Sequence, residues 1–234
     1  MDERVTIQQQ YYTETAHHYD EEHVHQKDEH YFAISLLAGV IPFFEINSIL
    51  DVGAGTGRAL LYLKERYPQV RVTGIEPVAA LRAQGYAKGL SQEELIDGNA
   101  NAINFPNESF DLVTEFAVLH HVPEPSRMIA EMLRVAKIGI FISDGNRFGQ
   151  GSPLGRFSKQ LLGALGLWKT ANFIKTRGKG YSISEGDGLF YSYSVFDNYA
   201  QIRAACKAVY IINTQDAGIN PYRSAPHVAL LAIK

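Results

Sequence analysis

The chain has 234 residues, a formal charge of −3 at pH 7 and 46% hydrophobic residues. A chain of this length can bury a hydrophobic core as one unit, so we expect a single domain over residues 1–234. Acidic and basic residues are interspersed rather than gathered in a basic stripe, which argues against nucleic acid as a partner. The only cysteine is Cys206, so an internal disulfide is excluded.

The N-terminal part predicts a helical cap over residues 1–47. Its first stretch, MDERVTIQQQ, has neither the basic end nor the apolar segment of a signal peptide, so we expect a cytoplasmic protein. The most apolar stretch, residues 31–44, is too short to cross a bilayer and is broken by Pro42. It therefore predicts a buried helix followed by a turn, and we expect no membrane partner.

From residue 48 onward, short apolar runs alternate with loops and helical patterns, which is typical of a parallel sheet with crossover helices. The runs predict strands at residues 48–52, 71–76, 94–98, 110–115, 139–144, 208–213 and 228–233. We therefore predict an α/β fold, with a doubly wound, mostly parallel seven-stranded sheet of Rossmann-like type and helices on both faces. Residues 195–234 supply the final helix and strands.

Residues 147–194 interrupt this alternation after the fifth predicted strand. They are rich in glycine and aromatic residues and show no clear strand pattern. Because a loop region of this length in a compact domain is usually a lid or a binding element, we predict a lid insertion here. Aromatic walls with a few polar groups are typical of small-molecule pockets. The candidate substrate-binding residues are Asn146, Arg147, Tyr191 and Tyr193.

A glycine-rich turn, ILDVGAGTGRALLYL, links the first predicted strand to a helical pattern. Arg58 stands where the dinucleotide fingerprint needs a small residue, and the Gly-Lys-Ser/Thr ending of a phosphate-binding P-loop is absent. Glycines here let the backbone approach a ligand closely. Glu76 ends the second predicted strand, where a carboxylate can accept two hydrogen bonds from ribose hydroxyls. The pattern therefore predicts an adenosine-containing ligand at the carboxyl end of the sheet.

Four stretches, in order, resemble the class I S-adenosylmethionine-dependent methyltransferases of the small methyltransferase-domain type. LDVGAGTGR is similar to the first motif of that family and GIEP to the second. GNANAINFPNESFDLV and FAVLHHVPEPSRMIAEMLRVAK are similar to the third motif and to the helix that follows it. The resemblance implies S-adenosylmethionine as cofactor and residues 48–146 as the cofactor-binding core. Two departures are Asn99, usually Asp in the family, and residues 137–140, usually a Lys-Pro-Gly-Gly turn.

The same resemblance implies roles for individual residues. The implied cofactor-binding residues in the core are Asp51, Gly53, Ala54, Gly55, Glu76, Pro77, Asn99, Ala100, Glu115 and Phe116. The glycine loop would pass under the methionine part, with Asp51 near its amino group. Glu76 would hold the ribose, Asn99 would meet the adenine edge, and Glu115 would lie beside the sulfonium.

Tyrosines of the N-terminal cap are further candidates. An aromatic face attracts a sulfonium by about 0.5–2 kcal/mol, so we predict that Tyr11 and Tyr19 close over the cofactor. Ordinary packing of the cap onto the domain is the alternative. The histidines clustered within residues 17–30 lack the converging spacing of a zinc site, so we predict an exposed polar helix there and no metal.

Methyl transfer is an in-line displacement that needs a base only if the nucleophile must lose a proton. His121 follows the fourth predicted strand and is the candidate base, with packing or capping of a helix beginning near Val118 as the alternative. Asp111 is predicted to be structural.

The function predicted from the sequence is therefore methyl transfer from S-adenosylmethionine to an O or N atom of a small-molecule acceptor. Two alternatives stay open. One is a catalytically inactive S-adenosylmethionine-binding module that acts as a partner or sensor protein. The other is an NAD-dependent oxidoreductase, against which Arg58 counts. The sequence does not define the oligomeric state.

Overall fold

The computed structural model describes residues 2–215 and 220–234. Three helices form the N-terminal part: α1 (Glu3–Thr15), α2 (Tyr19–His23) and α3 (Glu29–Val40). The side chain of Asp28 starts α3 by accepting a hydrogen bond from the backbone N–H of Tyr31 at 2.6 Å. This helix is buried through Ile34 and Leu37, which confirms the buried helix predicted within residues 31–44.

Seven strands form the main sheet: β1 (Ser48–Val52), β2 (Arg71–Ile75), β3 (Leu95–Ile96), β4 (Phe110–Phe116), β5 (Ala136–Gly145), β8 (Ala208–Asn213) and β9 (His227–Ile233). Their order in the sheet is β3–β2–β1–β4–β5–β9–β8. The first five pair in parallel, and β9 runs antiparallel to β5 and β8. The predicted doubly wound, mostly parallel sheet is confirmed, although β3 is shorter than predicted and β5 begins earlier.

Helices cover both faces of this sheet. They include α4 (Arg58–Arg66), α5 (Ala79–Ala87), α6 (Pro125–Val135) and α9 (Tyr199–Ala205). Successive strand residues point to opposite faces, so Leu50 packs with Met132 of α6, whereas Ile49 packs with Leu37 of α3 and Leu60 of α4. The two resulting hydrophobic clusters hold the carboxyl ends of the strands in fixed positions.

The chain leaves β4 through a 3₁₀ turn, Leu119–His121, before α6 begins at Pro125. A short 3₁₀ helix therefore begins near Val118, where a helix was predicted, but the α-helix starts only at Pro125. Pro123 and Pro125 explain the delay, because the residue before a proline disfavours helical geometry and proline suits the first helical position. At its other end α6 passes directly into β5. Residues 137–140, where the family usually has a Lys-Pro-Gly-Gly turn, therefore lie within a strand.

The insertion follows β5 as predicted, but it is more regular than its composition suggests. It contains α7 (Pro153–Ala164), α8 (Trp168–Lys175) and an antiparallel hairpin of β6 (Tyr181–Ser184) and β7 (Gly188–Tyr191). The expectation of no clear strand is therefore wrong, because strands this short give little periodic signal. Among the described residues, no helix is long and apolar enough to cross a membrane.

Candidate active site

A cavity of about 690 Å³ opens at the carboxyl ends of β1, β2 and β4. The strand order reverses at this point, because β2 and β4 lie on either side of β1. Gly53 and Gly55 line it after β1, Glu76 and Pro77 after β2, and Phe116 at the end of β4. Ligands of doubly wound sheets bind at such a reversal, and the volume suits a nucleoside-sized molecule.

The glycine loop brings its backbone to the wall of this cavity. Gly53 and Gly55 have φ values of +74° and +55°, a region that favours glycine. A Cβ on Gly53 would lie 2.5 Å from Cγ2 of Val118, and one on Gly55 would lie 3.3 Å from the hydroxyl of Tyr19. The backbone N–H of Gly53 donates to the carbonyl of Ile75 at 2.8 Å. The loop is thus fixed to the end of β2 with no room for side chains.

Glu76 is a buried carboxylate, 5% exposed, at the end of β2. Its Oε2 accepts from the N–H of Gly55 at 3.1 Å and its Oε1 from the N–H of Val78 at 2.9 Å. Burial raises the pKa of Glu76 to about 7, although these two hydrogen bonds favour the ionised form. Each oxygen keeps a second lone pair, so the carboxylate can accept two ligand hydroxyls.

The far end of the cavity is lined by the segment after β3, which includes Asn99, Ala100 and Asn101. The side-chain oxygen of Asn99 accepts from the N–H of Asn101 at 2.9 Å, which shapes this turn. Within the described part of the chain, the buried Oδ1 of Asn101 has no hydrogen-bond partner. A buried acceptor without a partner is costly, so this atom fits a ligand donor such as an adenine amino group. Asn101 is not among the residues predicted from the sequence.

Four predicted cofactor residues do not line this cavity: Tyr11, Asp51, Ala54 and Glu115. The hydroxyl of Tyr11 instead donates to the carbonyl of Glu185 in the insertion at 2.8 Å. The next residue on the helix, Tyr12, lines the cavity together with Tyr19. Since neighbouring helix residues point about 100° apart, only one of the two adjacent tyrosines can face the cavity.

Two of these four residues, Asp51 and Glu115, are carboxylates that support the loops behind the cavity. Asp51 accepts from the hydroxyl of Thr114 at 2.8 Å, and burial raises its pKa to about 7. Glu115 accepts from the backbone N–H groups of Val118 at 2.9 Å and Ser143 at 3.1 Å, and burial raises its pKa well above the usual value. Both side chains are buried beside the site rather than in it.

A second cavity of about 540 Å³ lies between the sheet and the insertion. The two cavities share the lining residues Tyr12, Tyr19, Phe116, Ala117 and His121. Three of the four predicted substrate residues, Arg147, Tyr191 and Tyr193, line the second cavity. The fourth, Asn146, does not: its buried amide donates to backbone carbonyls, including that of Ala225 at 2.9 Å, so its role in this structure is to hold the backbone.

His121 lies on the wall shared by the two cavities. Its Nδ1 is 2.7 Å from the carbonyl of Leu189 and 3.0 Å from Nε2 of Gln8. Because the shorter contact is to a carbonyl, which can only accept, we assign the proton of the neutral ring to Nδ1. Its Nε2 then accepts from the hydroxyl of Tyr12 at 3.0 Å and lies 3.4 Å from an oxygen of Asp187. Burial and the neighbouring His120 lower the pKa of His121. The ring is therefore a neutral base at physiological pH.

His120, in contrast to His121, carries a positive charge. Its Nδ1 is 2.8 Å from Asp144 and its Nε2 is 3.7 Å from Asp187. Burial opposes the charge, but the two carboxylates outweigh burial and raise the pKa of His120 to about 10. The two histidine rings lie 4.0 Å apart, so the positive charge on His120 helps to keep His121 neutral. The pairing of Asp187 with both histidines was not predicted from the sequence.

Among the described residues, two groups bring potential metal-ligand atoms within 4.8 Å of one another: His120, His121 and Asp187, and Glu29, His30 and His227. In the first group, carboxylates already pair with both ring nitrogens of His120. In the second, the two histidine rings stack edge-on at 4.6 Å, and burial lowers the pKa of both. Ordinary packing and ion pairs account for these contacts, and the expectation of no metal stays a prediction.

The N-terminal histidines are only partly an exposed polar surface. His17, His18 and His25 are exposed, as predicted. His30 lines the second cavity, and its Nδ1 lies 3.2 Å from the hydroxyl of Ser143. For His30 the expectation is wrong, because this residue belongs to the buried helix α3 and not to the polar stretch before it.

The fold and the first cavity define a nucleoside-cofactor-binding α/β protein, with a glycine loop after β1 and a buried carboxylate after β2. Residues 50–142 match the model of the methyltransferase domain family. This match covers the sheet from β1 into β5 and, with the fold, is consistent with a class I S-adenosylmethionine-dependent methyltransferase, whose cofactor is S-adenosylmethionine. The cradle described above fits that cofactor, since it offers acceptors for ribose hydroxyls and for an adenine amino group.

Curated relatives match part of the chain. Phosphatidylethanolamine N-methyltransferase of Cereibacter sphaeroides is 36% identical over 119 residues, which are 48% of this chain and 57% of that protein. Ajmaline N-methyltransferase of Rauvolfia serpentina is 34% identical over 99 residues, 41% of this chain and 34% of that protein. The chain thus spans about half or less of the length of these relatives.

A solved structure matches nearly the whole chain. An S-adenosylmethionine-dependent methyltransferase of Thermotoga maritima, described as a possible histamine N-methyltransferase, has a TM-score of 0.58 and 18% identity. The match covers 96% of this chain and 99% of that one. At this identity the likeness shows the fold alone.

Proposed function

We propose that the protein transfers a methyl group from S-adenosylmethionine to an O or N atom of a small-molecule acceptor bound in the second cavity. The observation that supports this proposal is the wall shared by the two cavities, which includes Phe116, Ala117 and His121. A donor in one cavity and an acceptor in the other can meet there in the line that displacement requires. One domain over residues 1–234 would contain both sites.

The first cavity has a binding group for each part of the cofactor. We assign the ribose to Glu76, the adenine to Asn99, Ala100 and Asn101, and the methionine part to the glycine loop. The aromatic faces of Tyr12 and Tyr19 line the wall toward the second cavity, where they can attract a sulfonium by about 0.5–2 kcal/mol. When bound, the cofactor supplies an electrophilic methyl carbon.

His121 is proposed as the base that takes the proton of the acceptor. In the neutral ring the single lone pair of Nε2 accepts the hydrogen bond from the Tyr12 hydroxyl, so the acceptor would replace Tyr12 as the partner of Nε2. The acceptor atom would form its new bond to the methyl carbon as the sulfur–methyl bond breaks and S-adenosylhomocysteine leaves, and the proton of the acceptor would move to Nε2. Asp187, 3.4 Å away, stabilises the imidazolium that results. General-base assistance of this kind contributes about 10²–10⁴-fold in rate.

The proposal is tested in two steps. Calorimetry with S-adenosylhomocysteine and with NAD should show binding of the first and not of the second. Transfer of label from methyl-labelled S-adenosylmethionine to a panel of small hydroxyl and amine compounds should then identify an acceptor. Preferential binding of NAD would indicate the oxidoreductase. Cofactor binding with no label transfer to any member of a broad panel would favour the inactive binding module.

A further inference from the structure

The outer face of the insertion exposes a continuous set of large apolar side chains. In the described structure, no residue of α7 or α8 is buried. Leu154, Phe157, Leu161 and Leu165 are exposed, Leu154 by 75%, and their spacing of three and four residues places them on one side of the α7 helix. The residues Phe173 and Ile174 of α8 are also exposed.

The charge of this segment differs from that of the chain. No acidic residue stands between Asp144 and Glu185, whereas the same segment contains seven basic residues. The chain as a whole has a charge of −3. Of these basic side chains, Lys169, Arg177 and Lys179 are exposed on α8 or directly after it. Within this segment, the apolar face is therefore accompanied by positive charge only.

Exposed apolar patches with a charged rim mark interaction sites. We propose that the outer face of α7 and α8 docks on an anionic bilayer surface. Aliphatic and aromatic side chains would enter the boundary between headgroups and acyl chains, and the lysine and arginine side chains would lie at the phosphates.

A bilayer explains the charge pattern better than a protein partner does. Protein interfaces usually match charges of both signs, whereas an anionic bilayer presents one sign over a wide area. A helix that lies in the interface needs no spanning segment, so the lack of a spanning helix among the described residues does not bear on this mode of binding. The proposal departs from the expectation of no membrane partner, which was drawn from the lack of a spanning segment.

The docking face and the second cavity lie on opposite sides of the same helices. Trp168, Asn172 and Lys175 of α8 line the second cavity. Docking would therefore place this cavity behind the helices that contact the bilayer. The docking itself does not depend on the proposed function, because vesicle binding can be measured without cofactor or acceptor.

The test uses the full chain with vesicles of phosphatidylcholine alone or mixed with phosphatidylglycerol. Cosedimentation should occur with the mixed vesicles and weaken with added salt. Equal binding to both vesicle types, or no binding to the mixed vesicles, would overturn the proposal.

Variants locate the binding face. Phe157→Ser with Phe173→Ser should reduce the bound fraction by about tenfold or more, because two buried aromatic contacts are lost. Lys169→Glu with Lys179→Glu should remove the preference for anionic vesicles. Phe43→Ser is the matched control, since Phe43 is 80% exposed in a turn after α3 and should leave binding unchanged.

One result would assign the face to a different occupant. A concentration-dependent dimer that disappears with the two Phe→Ser changes, in a chain that ignores vesicles, would make this face a contact between two copies and overturn the proposal. Circular dichroism of each variant checks that these surface changes leave the fold intact.

Discussion

Replacing Glu76 by glutamine tests the ribose assignment while keeping the size of the side chain. The two carboxylate oxygens accept from the N–H groups of Gly55 and Val78 and face the first cavity. Glutamine has only one oxygen, so one backbone donor would meet an NH₂ group instead. On the ligand side, a charge-assisted hydrogen bond to a ribose hydroxyl becomes a neutral one or is lost.

The expected loss in cofactor affinity follows from these contacts. Losing a charge-assisted hydrogen bond costs about 1–3 kcal/mol, which corresponds to a rise in Kd of about 5- to 150-fold. Leaving one backbone N–H without an acceptor also lowers the folding stability by about 1–3 kcal/mol. Calorimetry with S-adenosylhomocysteine, at a temperature where both proteins are folded, separates the two effects.

The pKa of Glu76 adds a pH signature. Burial raises this pKa to about 7 in the cofactor-free protein, and the ionised carboxylate is the form that accepts two hydroxyls. Affinity of the unchanged protein should therefore rise with pH until about 7 and then level off, and the glutamine variant should show a weaker dependence. Because folded Glu76 holds its proton more tightly than the unfolded chain does, the free protein should lose stability as pH rises from about 4.5 to about 7.

Asp111→Asn is the matched control. One oxygen of Asp111 accepts from the backbone N–H groups of Asn47 at 2.8 Å and Ser48 at 3.1 Å, at the opposite end of the sheet. This variant should lose stability with unchanged affinity for S-adenosylhomocysteine. Unchanged affinity in Glu76→Gln above pH 7, or an equal loss in Asp111→Asn, would refute the ribose assignment.

Three further variants test the remaining parts of the site. His121→Ala should slow single-turnover methyl transfer by about 10²–10⁴-fold with S-adenosylhomocysteine affinity nearly unchanged; normal turnover would make this residue structural. Gly53→Ala should cost about 1–3 kcal/mol in chemical unfolding, because its Cβ would lie 2.5 Å from Val118, and Val118→Ala should restore part of this loss. Asp197→Asn removes the ionic partner of Arg147, which is 7% exposed. The change should lower folding stability by about 1–3 kcal/mol and speed hydrogen exchange across residues 147–194. Unchanged exchange would contradict an anchoring role for this ion pair.

The sheet was predictable because parallel strands buried on both faces appear in the sequence as short apolar runs. The positions of Gly53, Gly55 and Glu76 followed from the same pattern, since each comes at or just after the end of a strand. Asp51 and Glu115 lie equally close to strand ends, yet both are buried behind the cavity. Sequence spacing locates a strand end, but the direction of each side chain there depends on packing.

Other features depend on contacts between distant parts of the chain. The sequence did not show whether Tyr11 or Tyr12 faces the first cavity, because α1 is polar on most of its surface and gives no clear helical pattern. The ion pairs of Asp187 with His120 and His121 join the β6–β7 hairpin to the turn after β4. No local pattern predicts a pair of this kind. The hairpin strands themselves are too short for a reliable alternation.

A crystal structure with bound S-adenosylhomocysteine tests the central claim most directly. We predict the ribose hydroxyls on Glu76, the adenine beside Asn99 and Asn101, and the sulfur directed at the wall formed by Phe116 and His121. A nucleoside bound in the second cavity, or a sulfur directed away from that wall, would contradict the proposed arrangement of donor and acceptor.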